Sequence, residues 1–326
     1  MSQTHELLPL IRKKVGDFLY PYGAFPDEDY EQAEGYETDY FTSGDDDPMG
    51  DRYRCVTVVS AEKLVPLFVE LCALLPPRVH VVLERASEDV YTERDVFLSE
   101  LEVEREQFID VFKAFEFTFA EDGMLGIGAF GHEIPLEIFL ADHKEIVLFA
   151  PEIGAVTDIL KAHGLKARKL EYFYERSHTH LALTQYRGLR GAQFDYLHVA
   201  DRVRHLFGMH LQQDDDHNID SEGNPLGLVP WRAIVVLTPS RRARAGRRRN
   251  RHFLQEFFLT AQNRRQAREL LEARLERDGC VLQSLDELFR IDVADLPADV
   301  RPATELLQRP GIWYVGEKTE TDVHWH

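Results

Sequence analysis

Between Arg54 and Leu83 the hydrophobic period of the chain changes twice, and this limits the fold more than any other feature of the 326 residues. Cys55 to Val59 is a β-branched run that reads as a strand. Leu64, Leu67, Phe68, Leu71, Leu74 and Leu75 then recur at three- and four-residue steps, the period of an amphipathic helix. Pro76-Pro77 ends the helix, and Val79 to Leu83 returns to strand character. Pro66 has to sit in the first turns of the helix or bend it. A strand-helix-strand unit of this kind places the chain in the α/β class.

A second unit starts at Ile146. Ile146 to Phe149 reads as a strand, Pro151 opens a helix carrying Ile153, Val156, Ile159 and Leu160, Gly164 closes it, and Leu170 to Tyr174 reads as the returning strand. At an offset of about 90 residues Glu84-Arg85 falls on Glu175-Arg176, so internal duplication is one expectation. Between the units, Glu104 to Phe115 has a helical stripe, and Phe117 to Ala120, Met124 to Phe130 and Ile134 to Leu140 are spaced as a meander. The expected fold is therefore α/β with a mixed sheet, two strand-helix-strand units that duplication would relate, and a smaller C-terminal α+β part.

Four segments follow from the pattern. Residues 1–51 hold an N-terminal helix, His5 to Tyr20, and an acidic arm; 52–210 form the α/β core, closed by a helix from Phe194 to Phe207 that Gly208 ends. Residues 211–252 form a polar, Arg-rich linker region with one strand, Ala233 to Leu237. Residues 253–326 hold a long helix, Phe253 to about Arg277, with Leu254, Phe257, Phe258 and Ala261 on its buried stripe, and an alternating terminal strand.

A net charge of -19 argues against coating nucleic acid or anionic lipid over most of the surface. The charge is uneven, however. Residues 27–51 carry eleven acidic side chains and no Lys or Arg, while Arg241, Arg242, Arg244, Arg247, Arg248, Arg249 and Arg251 cluster without an acid. Three cysteines, Cys55, Cys72 and Cys280, lie in apolar surroundings and form no CxxC pair, which fits a reducing compartment. With no signal-like start and no run of ~20 apolar residues, the expectation is a cytoplasmic protein with no membrane partner.

Several motifs carry a chemical reading beside a plainer one. Gly126 to Gly131 matches GxGxxG, but strand-like residues follow it where a dinucleotide site needs a helix, so the glycines are read as thinning a hairpin. Asp214 to Gly223 places oxygen side chains as calcium loops do, yet Ile219 and Pro225 stand where Gly and the closing Glu belong, which favours a solvated linker. His178 with His180, and His324 with His326, each present two imidazoles on one face of a strand, a geometry open to zinc or another transition metal. Exposed edge histidines are the preferred reading because no third ligand is fixed by spacing. No hydrolase, P-loop or Cys-His signature supplies a catalytic residue.

Function is therefore read from charge. The favoured expectation is a non-catalytic interaction or regulatory protein, self-associating or binding a protein partner, with the acidic arm meeting the Arg241 to Arg251 loop. The alternatives are an RNA- or DNA-binding accessory protein using the same arginines, and a metal-dependent enzyme using the histidine pairs.

Overall fold

The structure is a computed structural model and describes residues 11–42, 50–131, 134–183, 195–240 and 252–321. The chain divides into two compact units, residues 1–86 with 95–212 and residues 87–94 with 213–326. No helix among the described residues is long and apolar enough to cross a membrane.

In the first unit the N-terminal stretch forms strands. β1 (Lys14–Val15) and β2 (Phe18–Leu19) make a small hairpin, β3 (Ala24–Pro26) is a short strand, and β4 (Gly35–Phe41) joins the main sheet. The expected helix is thus absent over 14–20, and of the acidic arm Gly35–Phe41 is built into the main sheet. Tyr20 is fully buried here, and its ring meets Phe18 and Phe173 edge-on, so long-range aromatic packing outweighs the local helical spacing.

The strand-helix-strand reading of Arg54 to Leu83 holds as β5 (Arg52–Val58), α1 (Ala61–Cys72) and β6 (Arg78–Ala86). Pro66 lies inside α1, whose buried face is Leu64, Leu67, Phe68 and Leu71. Next come β7 (Arg94–Ser99), β8 (Val103–Glu104), α2 (Arg105–Ala114) and α3 (Glu116–Glu121). Phe117 to Ala120 is therefore helical rather than extended; its Phe119 stacks on Phe112, tying α3 to α2. The meander is β9 (Leu125–Phe130), β10 (Glu137–Leu140) and β11 (Ile146–Ala150), with antiparallel ladders. Gly126 and Gly128 lie in β9 with no helix after it; a Cβ on Gly128 would fall 2.5 Å from the Phe139 ring and from Ile138 O.

After β11 come α4 (Gly154–Ala162), β12 (His178–His180), α5 (Tyr196–Phe207) and β13 (Met209–Leu211). Gly208 closes α5 in the left-handed conformation, φ 56°. The main sheet runs β13-β7-β6-β9-β10-β11-β5-β4, with β8 beside β6. The ladders from β4 through β5, β11, β10 and β9 to β6 are antiparallel, so β5 and β6 run the same way but are separated by three strands. The duplication is not supported. No strand forms over 170–174, where a 3-10 turn, Phe173–Glu175, takes its place, so the second unit lacks its return to the sheet.

The second unit is a five-stranded sheet with a helix on one face. Its elements are β14 (Val229–Pro239), β15 (His252–Ala261), α6 (Arg264–Arg277), β16 (Cys280–Arg290), α7 (Thr304–Leu307), β17 (Gly311–Val315) and β18 (Thr319–Thr321). The strand order is β16-β14-β15-β17, with β18 also on β15. The long helix expected from Phe253 is in fact a strand followed by a helix. Asn263 sets the break: its side chain accepts the Gln266 amide at 2.9 Å while Gln266 accepts the Gln262 amide at 2.8 Å, a reciprocal cap that starts α6 at Arg264. Phe257 and Phe258 are both buried, as expected, but on opposite faces of β15. Phe257 packs towards α6, and Phe258 stacks on Trp313 at 5.4 Å.

Candidate metal centre

His178 and His180 point to one face because β12 is extended, and β3 holds that strand in register, pairing His178 with Pro26 and His180 with Ala24. Asp27 clamps it from the side, accepting hydrogen bonds from Ser177 Oγ and Thr179 Oγ1, both at 2.5 Å, on either side of His178. Below the strand, the backbones of Gly23 and Gly123 come so close that a Cβ on Gly123 would lie 2.0 Å from Gly23 O. Only glycine permits that approach. It brings the Gly123 carbonyl to 2.9 Å from His180 Nδ1.

The third imidazole comes from the turn between β10 and β11. His143 places Nε2 3.2 Å from His178 Nε2, and one ring nitrogen from each of His143, His178 and His180 lies within 4.8 Å of the others. The next residue, Lys144, is the single non-glycine with positive φ, 69°, among the described residues. Such a conformation is costly and gathers at functional sites. Its ammonium is buried, donates to Leu125 O at 2.7 Å, and is brought down to about 8 by burial against the opposing pull of Asp142, Asp122, Glu145 and Glu121.

Each ring is oriented through Nδ1. His178 Nδ1 lies 2.8 Å from Arg176 O and His180 Nδ1 2.9 Å from Gly123 O; a carbonyl only accepts, so both nitrogens carry the proton. His143 Nδ1 lies 3.0 Å from Asp142 Oδ1, which favours the same tautomer. That leaves Nε2 as the lone-pair nitrogen on all three. Two nitrogens at 3.2 Å need a proton or a metal ion between them. The spacing matches the ~3.3 Å between two ligands of a tetrahedral ion with metal-nitrogen bonds of about 2.0–2.1 Å. His180 Nε2 is buried without a hydrogen-bond partner, and burial, with the nearby His143, lowers the pKa of His180, so its neutral ligand form is favoured. Backbone carbonyls and a carboxylate behind metal-binding imidazoles are the usual outer support of such sites.

The chain matches no family model, no curated protein and no solved structure.

Of the residues singled out by sequence, the structure brings His178 and His180 together and adds His143, which no spacing in the sequence links to them. His324, His326 and the whole Arg241 to Arg251 cluster lie outside the described residues. Acidic residues of the arm that are described have other partners inside the first unit. Glu28 meets Arg176 at 3.3 Å, Asp29 meets Lys13 at 3.6 Å and Glu34 meets Lys63 at 2.5 Å. Asp214, the first oxygen of the calcium-like run, is held by His217 at 2.6 Å, and Asp216 by Arg265 at 2.7 Å. All three cysteines are free and buried, and burial raises the thiols of Cys55, to about 11, and of Cys72.

Proposed function

We propose that the first unit binds one transition ion of the zinc type through His143, His178 and His180, and that the protein is metal-dependent. The observation that carries this reading is the set of three imidazoles with Nδ1 directed at oxygen and Nε2 left for a shared cation. Borderline-soft nitrogen donors without a thiolate suit zinc, copper, nickel or iron better than magnesium or calcium. Among the described residues three ligands converge rather than four, which favours an ion with an open position over a purely structural one. An ion so held supplies Lewis-acid chemistry to whatever fills that position. The chain's own part is to fix the three rings, through β3, Asp27, the Gly23–Gly123 contact and Asp142.

Purified full-length protein, stripped with a chelator and dialysed against limiting zinc, is expected to retain one ion per chain by elemental analysis. His143→Ala and His180→Ala should each lose it, and cobalt should give the visible bands of a tetrahedral nitrogen site in the parent alone. Retention no greater than that of a variant lacking all three histidines refutes the reading.

A second expected result separates support from ligation. Asp142→Asn keeps the shape of the side chain but weakens its hold on His143 Nδ1, and should lower zinc affinity about 10- to 100-fold while leaving the stoichiometry at one. Competition against a chromophoric chelator measures it; an unchanged affinity would show that Asp142 does not orient the ring.

A further inference from the structure

The second unit has a hollow of its own on the sheet face away from α6, with a volume of about 400 Å³. That is the size of a small-molecule site. Phe258, Phe289, Ile291, Leu296 and Val300 give it an apolar lining. Phe258 is itself fixed from behind by Trp313, stacked at 5.4 Å with an interplanar angle of 13°, so the aromatic floor is pre-formed. Around it stand Glu88, Glu256, Asp292 and Asp295, against one cation, Arg232. Arg232 is already engaged, with Glu256 at 2.5 Å and Glu88 at 3.7 Å, and its guanidinium lies 5.5 Å over the Phe289 ring.

We infer that this hollow binds a small organic amine, an ammonium group carried on an apolar or aromatic body. The charge decides the sign of the ligand. Four carboxylates, of which Asp292 also accepts the Ala294 amide, against one committed guanidinium give the lining a net charge of three negative, which repels carboxylates and phosphates and attracts a cation. The lining decides its body. Two phenylalanine rings and aliphatic walls bury an apolar skeleton, and a ring that already carries Arg232 on its face can carry an ammonium by the same cation–π attraction. An ammonium has three donors and no acceptor, so it can satisfy Glu88 and Glu256 together, sharing them with Arg232. A neutral apolar ligand would leave that excess charge uncompensated, and a bare metal ion would gain nothing from the aromatic floor.

Tryptamine and indole-3-acetate share a ring system and differ in the sign of the charge, so they serve as the probe and its control. Calorimetric titration of the full-length protein is expected to show saturable, one-site binding of tryptamine, with indole-3-acetate at least about tenfold weaker. Glu88→Gln and Glu256→Gln should each weaken tryptamine about threefold to tenfold, discounted for the partial exposure of both groups. Val300→Trp fills the hollow from its half-exposed rim and should abolish binding, with circular dichroism confirming that the sheet is intact. The inference is overturned if tryptamine shows no saturable binding at millimolar concentration, if indole-3-acetate binds equally well, or if natively folded Val300→Trp binds tryptamine as the parent does.

Discussion

Replacing Asp89 with alanine is expected to destabilise the second unit by about 3–5 kcal/mol, the usual result of removing one partner from a buried ion pair. Asp89 accepts the Arg290 Nε–H at 2.8–2.9 Å with both carboxylate oxygens, and the Arg290 backbone amide at 2.8 Å. The remaining guanidinium nitrogens are used as well. Nη1 donates to Asn218 Oδ1 at 3.0 Å and to Ile219 O at 2.6 Å, and Nη2 donates to Thr92 Oγ1 at 2.9 Å. The two side chains are 8% and 3% exposed, so water cannot take over the charge left behind. Alanine at 89 therefore strands a buried cation, whereas the double replacement with Arg290→Ala should cost less than the sum of the two single changes. All three tryptophans, Trp231, Trp313 and Trp325, belong to the second unit, so urea denaturation followed by tryptophan fluorescence reports on it selectively. A loss below about 1 kcal/mol would show that the bridge is open to solvent.

Phe257→Ala should have an effect of similar size, about 3–5 kcal/mol by the same assay. The ring is fully buried between β15 and the Ala267, Leu271 and Leu275 face of α6, and a 14-residue helix seated on a sheet has little freedom to collapse into the space left. Phe258→Ala should cost less, because its face of the sheet borders the hollow and the stack with Trp313 can relax. Equal losses at the two positions would contradict the assignment of opposite faces.

This pair of phenylalanines shows how the sequence can mislead. Leu254, Phe257, Phe258 and Ala261 fit a helical stripe, but a strand buried on both faces is also apolar at nearly every position, and period alone does not separate the two. The deciding signal is local and legible: Asn263 three residues before Gln266, which caps a helix that starts eleven residues further on than Phe253. Tyr20, Phe173 and Phe119 misled differently, since their positions are set by partners far along the chain that no local window contains. Where the period changes sharply at clear breakers, as at Pro76-Pro77 between α1 and β6, pattern and structure agree.

The metal centre divides the same way. The alternation His178-Thr179-His180 already placed two rings on one side of a strand. His143 precedes them by 35 residues, on a turn whose approach depends on Gly23 meeting Gly123 and on Lys144 reaching Leu125, and neither contact has a sequence period. The outward clue was an acidic run containing Asp27. Other acids of that run meet Arg176, Lys13 and Lys63, while Asp27 binds the hydroxyls on either side of His178, a role that its charge alone does not announce.

Residues 87–94 leave the first unit between β6 and β7 and belong to the second, whose remaining residues begin only at 213. On a ribosome this imposes a wait. Asp89 is made 201 residues before Arg290, so at roughly 5–20 residues per second about 10 to 40 s pass before its partner is synthesised. In that interval the rest of the first unit is translated, while the loop with Glu88 and Asp89 lacks the Arg290 partner that it has in the folded chain. The second unit cannot mature by adding residues at the end of the chain alone: it has to recapture a segment that left the ribosome early. Slowing translation after residue 212, or expressing residues 213–326 without the early loop, therefore separates the completion of the two units in time and in dependence.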